Sequence, residues 1–177
     1  AALADPLAAT YRALADAGPY RIDGRSIGRR ALRNACLAYL AAAGILRHAL
    51  ALVDHLPEAP ERTRHALPLY MALGAVLQTA QGHAAPEVEQ AYTEAYTLCQ
   101  QVGEPPELVP VLMGLWRVYL MRPQMDTARK LGETLLRLAQ HAEDSALTVL
   151  AYYVLGMTWF WLGALPLARQ HLEEGIA

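Results

Sequence analysis

Lysine is almost missing from this chain: Lys130 stands alone beside fourteen arginines. Phenylalanine occurs once, and aromatic residues make up only 7% of a sequence that is 54% hydrophobic. The apolar mass is therefore mostly Ala and Leu, which favour helix. β-Branched residues are sparse and no Val/Ile/Thr alternation appears, which argues against a sheet. Only two cysteines are present, Cys36 and Cys99, and their spacing matches no metal or redox motif. They are expected as buried thiols of a cytoplasmic protein. A net charge of −2 gives no overall electrostatic footprint for nucleic acid. No uninterrupted apolar run is read as a membrane span; Ala146 to Leu165 comes closest and is broken by Gly156 and Gly163. Phosphate-loop, dinucleotide and nucleophile-elbow patterns are also missing. The expectation is a non-enzymatic protein without cofactor or metal, acting without nucleic acid or membrane.

What is present is helix punctuation. Pro6, Pro60, Pro86, Pro105, Pro106, Pro123 and Pro166 sit at or near helix starts, where a missing N–H is harmless. Asp5 is read as the N-cap before Pro6, Gly18-Pro19 as a stop, and Ser26 as the cap of a second helix. The expected helices are 6–17, 27–56, 61–80, 86–102, 106–121, 125–141, 144–162 and 165–176. The second is the longest. Leu32, Cys36, Leu40, Ala43, Leu46, Leu50 and Val53 recur at steps of three and four, keeping one stripe in phase through Gly44.

Gly74, Gly114 and Gly156 recur 40 and 42 residues apart. With Ala91, Ala128 and Ala168 they mark degenerate helical hairpins. The last hairpin is the most regular: Tyr152, Leu155-Gly156, Trp159, Ala168, Leu172 and Gly175. The fold expected is an all-α, right-handed helical-hairpin solenoid of about eight helices.

The segment Tyr20-Arg21-Ile22-Asp23, followed by Ser26-Ile27-Gly28-Arg29-Arg30-Ala31-Leu32-Arg33-Asn34-Ala35-Cys36-Leu37 and Tyr39-Leu40-Ala41, resembles the C-terminal helical domain of bacterial aminopeptidase N, a zinc peptidase of the M1 family. That resemblance covers residues 3–43 and implies a helical solenoid. It does not imply peptidase activity, because the zinc motif HExxH and the peptide-binding GxMEN motif are not in this sequence. From Ile45 the chain is similar to the tetratricopeptide-like region of bacterial signalling proteins that carry a predicted ATPase, often with a nucleotide cyclase. Leu56-Pro57-Glu58, Ala84-Ala85-Pro86-Glu87-Val88-Glu89-Gln90-Ala91-Tyr92, Leu98-Cys99-Gln100-Gln101-Val102-Gly103-Glu104 and Leu135-Leu136-Arg137-Leu138-Ala139 carry it. Charge divides similarly: residues 1–43 carry +3 and residues 44–177 carry −5.

Two segments, 1–43 and 44–177, are thus expected to pack as one solenoid through a shared helix. The first reading is an engineered chimera of two natural helical fragments with no native activity. The alternative is a natural protein-interaction module of a bacterial signalling protein. Starting at Ala1 without Met and ending inside a helical pattern, the chain reads as a piece of something longer or as an engineered product.

Two interaction surfaces follow from the register. Met71, Gln78, Leu115, Tyr119, Tyr153, Met157 and Trp161 are expected to line a peptide groove. Leu167, Leu172 and Ile176 on the last helix are expected to form an uncovered strip for self-association. Other candidates have plainer readings. His48 and His55 can share a helix face but lack a third ligand. His171 and Glu174 form an i,i+3 surface pair. Arg25, Arg29, Arg30 and Arg33 form a basic cluster best read as a solvated face paired locally, with Asp16 or Asp23 as partners.

Overall fold

A computed structural model describes residues 4–14, 24–56, 59–103 and 105–176. Among these every element is a helix, eight in all, with no strand. Chain contacts divide the molecule into two compact units, Ala1–Gly82 and His83–Ala177. The expected segment boundary near residue 43 lies inside a helix; this division falls in the loop after the third helix.

The first unit holds α1 (Ala4–Ala13), α2 (Gly24–Val53) and α3 (Ala59–Gln81), with α2 packed against both others. α1 begins at Ala4, so Asp5 lies within its first turn, and the expected stop at Gly18-Pro19 lies outside the described residues. α2 starts at Gly24, so Ser26 is inside its first turn and does not cap it. It then runs 30 residues without a break at Gly44, a rod of about 45 Å. Its in-phase stripe is what carries it through: Cys36 and Ala43 are buried, while a methyl group at Gly44 would meet nothing within 4 Å. Among the described residues α2 is the most membrane-like stretch, correcting the choice of Ala146 to Leu165. Residues Gly28–Val53 are long and apolar enough to cross a membrane, with a mean hydropathy of 1.8. Its many alanines raise hydropathy without the bulky run that catches the eye. α3 continues through Pro68, whose missing N–H leaves the Arg64 carbonyl without its helical donor.

The second unit holds α4 (Pro86–Val102), α5 (Leu108–Met121), α6 (Met125–Ala142), α7 (Ser145–Trp161) and α8 (Leu165–Glu174), each packed on the next. Its boundaries follow from local chemistry. Pro86 opens α4, and Gly103 closes it in the left-handed region at φ 85°. Asp144 caps α7 by accepting from the Leu147 N–H at 3.0 Å. The turn between α5 and α6 is closed by the Gln124 N–H bonding the Tyr119 carbonyl at 2.9 Å. Val88, Val111, Leu112, Val118, Leu135 and Val154 are fully buried and form the centre of this unit.

Small residues set the helix spacing, though not always as the repeat predicts. Gly156 faces Leu172 of α8 in its own hairpin; Gly114 instead faces the Tyr92 ring on the preceding α4. A third close approach, Gly132 of α6 against Val154 and Leu155 of α7, breaks the expected spacing and was not foreseen. Ala91, Ala128 and Ala168 are all buried, as the hairpin pattern requires.

Candidate interaction surface

The seven groove residues are divided between the two units. Met71 and Gln78 lie half-buried on α3, in the first unit. Leu115 is core: it is buried on α5, and the expectation that it faces a groove is corrected. α5 has buried residues on more than one side, so an apolar residue there has no preference for an open face. Tyr119 is half-buried and turned towards α4, where its hydroxyl meets Glu89 and Thr93. Burial, then the bond to the Glu89 carboxylate, pushes this phenol above its ordinary 10.0. Arg122 completes the corner by donating to the Ala84 carbonyl at 2.8 Å and pairing with Glu89. This polar group ties the end of α5 to the start of α4.

Tyr153, Met157 and Trp161 do share a face, following one another at i, i+4 and i+8 along α7. Tyr153 is 45% exposed and Trp161 55%, with Met157 half-buried between them. Val149 and Phe160, both about half exposed, extend the same surface beyond the three residues expected from the register. The signal existed, since Val149, Tyr153 and Met157 are spaced by fours. Phe160 and Trp161 meet edge to face, with centroids 5.8 Å apart.

The opposite side of α7 anchors this surface. Trp116 of α5 is buried, and its indole N–H donates to the Thr158 hydroxyl at 2.9 Å. Thr158 in turn donates to the Val154 carbonyl at 2.7 Å, so this buried hydroxyl is satisfied. The Trp116 ring also meets Tyr153 edge to face at 6.2 Å. One buried tryptophan therefore fixes both the roll of α7 and the rotamer of an exposed tyrosine.

Other features carry less chemistry. A shallow apolar cleft of about 230 Å³ lies between Pro105, Pro106, Leu108, Leu138, His141 and Leu147. It falls short of the ~300 Å³ at which ligand pockets usually begin. Both cysteines are free and buried. Burial, with Glu107 nearby, raises the Cys99 thiol above its ordinary 9.0. His48 is exposed, and no group of three His, Cys, Asp or Glu gathers among the described residues. Two members of the basic cluster, Arg29 and Arg33, are engaged on α1. Arg33 donates to the Tyr11 hydroxyl at 3.0 Å with its guanidinium 4.4 Å from that ring, and Arg29 reaches the Ala13 carbonyl at 3.5 Å. Asp16 and Asp23, the expected partners, lie outside the described residues. His171 sits 3.6 Å from Glu174, as their spacing implies.

The stacked helices define a helical-repeat domain. The family described as "Domain of unknown function (DUF3458_C) ARM repeats" matches residues 1–104, and the chain belongs to it. This family is the C-terminal helical domain of aminopeptidase N-type proteins, so the resemblance seen over residues 3–43 extends through α4. No curated protein and no solved structure matches the chain.

Proposed function

We propose that this chain is a non-catalytic helical-repeat module that binds an extended or helical peptide along the exposed face of α7. The observation that carries this reading is the strip formed by Tyr153, Met157, Phe160 and Trp161, held on a helix whose other side is buried. Aromatic side chains on a rigid element bury large area at little entropic cost, which is what peptide grooves need. The module is read as cytoplasmic and as working without cofactor, nucleic acid or membrane. The test is peptide-array binding by the intact chain and by a Tyr153→Ala, Trp161→Ala variant. Loss of binding with unchanged helicity supports the reading. Undiminished binding, or zinc-dependent cleavage of an alanyl reporter by the pure chain, overturns it.

A second reading keeps the composite origin: two natural helical fragments engineered into one chain through α2, the later one related to tetratricopeptide-like signalling proteins. The change of motif after Ile45 and the unequal charge of residues 1–43 and 44–177 favour it. The family match runs through that junction to residue 104. This reading fails if the reading frame occurs intact in a genome beside ATPase or cyclase sequence, which would favour the natural signalling module. The exposed strip of Leu167, Leu172 and Ile176 on and after α8 is a further surface for self-association. Sedimentation that shows only monomer at high concentration counts against it.

A further inference from the structure

α2 has an uncovered face that differs in kind from the aromatic strip of α7. Ala31, Asn34, Ala38, Ala41, Ile45, His48 and Leu52 follow one another at alternating steps of three and four, His55 stands one step further in the turn just after the helix, and all eight are exposed. This is the spacing of a coiled-coil seam. Ile45 is 69% exposed and Leu52 57%, although the other side of the same helix buries Cys36 and Ala43. Leu37, also exposed, borders the seam.

The order of residue sizes along this seam indicates its occupant. Its amino-terminal half is small and its carboxy-terminal half is large. If a second α2 lies antiparallel about a two-fold axis near Ala43, each layer pairs one of each. Ala41 meets the partner's Ile45, Ala38 the partner's His48, Asn34 the partner's Leu52 and Ala31 the partner's His55. A parallel pairing would instead set alanine on alanine at one end and histidine on histidine at the other.

Charge makes the same choice. α2 carries five arginines and no acidic residue, with Arg25, Arg29, Arg30 and Arg33 crowded at its start. Parallel copies would bring the two clusters together. Antiparallel copies keep the two clusters apart, at opposite ends of the seam.

We infer that this face of α2 is a homodimer interface, two copies of the chain joining through an antiparallel α2–α2 seam centred between Ala41 and Ile45. Within α2 the seam, from Ala31 to Leu52, is about 32 Å long. Two such strips bury on the order of 1,000 Å² in total, the lower end for a specific interface. Affinity is therefore expected in the micromolar range. The interface lies on a different helix from the peptide surface of α7, so the two proposals stand or fall separately. It is also distinct from the α8 strip, where Leu172 is already engaged against Gly156.

Sedimentation velocity on the intact chain from about 1 to 300 µM should show a shift from monomer to dimer across the range where micromolar association operates. Ala41→Arg should abolish the dimer without changing the helical circular dichroism, because position 41 is exposed. Leu172→Glu should leave the dimer intact. Strand direction is read by mild oxidation of mixed variants. Ala38→Cys chains should cross-link to His48→Cys chains at least tenfold more than to themselves; the two native thiols are buried and provide little background. A further check is charge rescue. Ala41→Glu alone should be monomeric, and Ala41→Glu with Ile45→Lys should recover the dimer. A monomer at every concentration overturns the inference. So does a dimer lost in Leu172→Glu but kept in Ala41→Arg, cross-linking of Ala38→Cys to itself, or binding of α2 to anionic vesicles in place of self-association.

Discussion

At the scale of single residues, the second unit is set by a few contacts that leave no room for an added atom. Gly114 is the tightest. A methyl group there would lie 2.5 to 2.6 Å from three carbons of the Tyr92 ring. The ring is buried and rigid, so it cannot swing aside as a flexible side-chain end would. Gly114→Ala is expected to cost about 1–3 kcal/mol, read as a lower midpoint in denaturant titration. Adding Tyr92→Leu, which removes the crowding ring, should recover part of the loss. The same ring takes part in a second effect. Tyr92 and Tyr119 are both raised above 10.0, chiefly by burial, and Cys99 is raised above 9.0 for the same reason. In the unfolded chain these groups release their protons at the ordinary values; in the fold they hold them longer. Above those values the unfolded state binds fewer protons than the native state, so stability falls as pH rises. The thermal midpoint should be unaffected by these groups below about pH 9 and decline steadily from there to pH 11. Tyr119→Phe should make that decline shallower, and a decline of unchanged slope would remove Tyr119 as a cause.

Among the elements, α2 offers the clearest case of what periodicity can and cannot tell. Its continuity through Gly44 was legible because seven apolar residues stay in phase across it, and Gly44 is exposed with open space around it. Gly44→Ala should therefore stabilise the protein, by about 1 kcal/mol from helix propensity alone. A lower melting temperature would mean that the glycine serves a close approach not seen here. Both boundaries of α4 are legible in the sequence because Pro86 and Gly103 each leave the chain one option. Ser26 misled, since a hydroxyl in the first turn resembles a cap whether or not the helix starts two residues earlier. The α7 surface was half legible. Register placed Tyr153, Met157 and Trp161 on one face, but on α5 it could not say that Leu115 faces inward. An apolar stripe looks the same whether it meets solvent or another helix. Gly132 went unnoticed for a related reason: it matters because of Leu155, which is remote in sequence and near only after folding.

For the whole molecule, the distribution of buried side chains between the two units matters most. Among the described residues the largest fully buried side chains are Leu112, Leu135, Val88, Val111, Val118, Val154, Thr158 and Cys99, and every one belongs to His83–Ala177. The core of Ala1–Gly82 is thinner. Cys36, Ala43, Ala66, Leu67, Leu73 and Leu77 retain small exposures, and α2 leaves much of its apolar surface open. Buried apolar area is the main source of stability, so the units should differ in resistance to opening. Native-state hydrogen exchange should find the slowest amides in α5, α6 and α7, with those of α1 and α2 exchanging at least tenfold faster. Under the α2–α2 inference this difference depends on concentration, because a partner that binds only the folded unit stabilises it by mass action. Raising the protein from about 1 to 300 µM should slow exchange in α2 while leaving α6 unchanged, and Ala41→Arg should remove that dependence. Equal protection of α2 and α6 at the lowest concentration would refute the account of two unequal cores, whatever the outcome for the dimer.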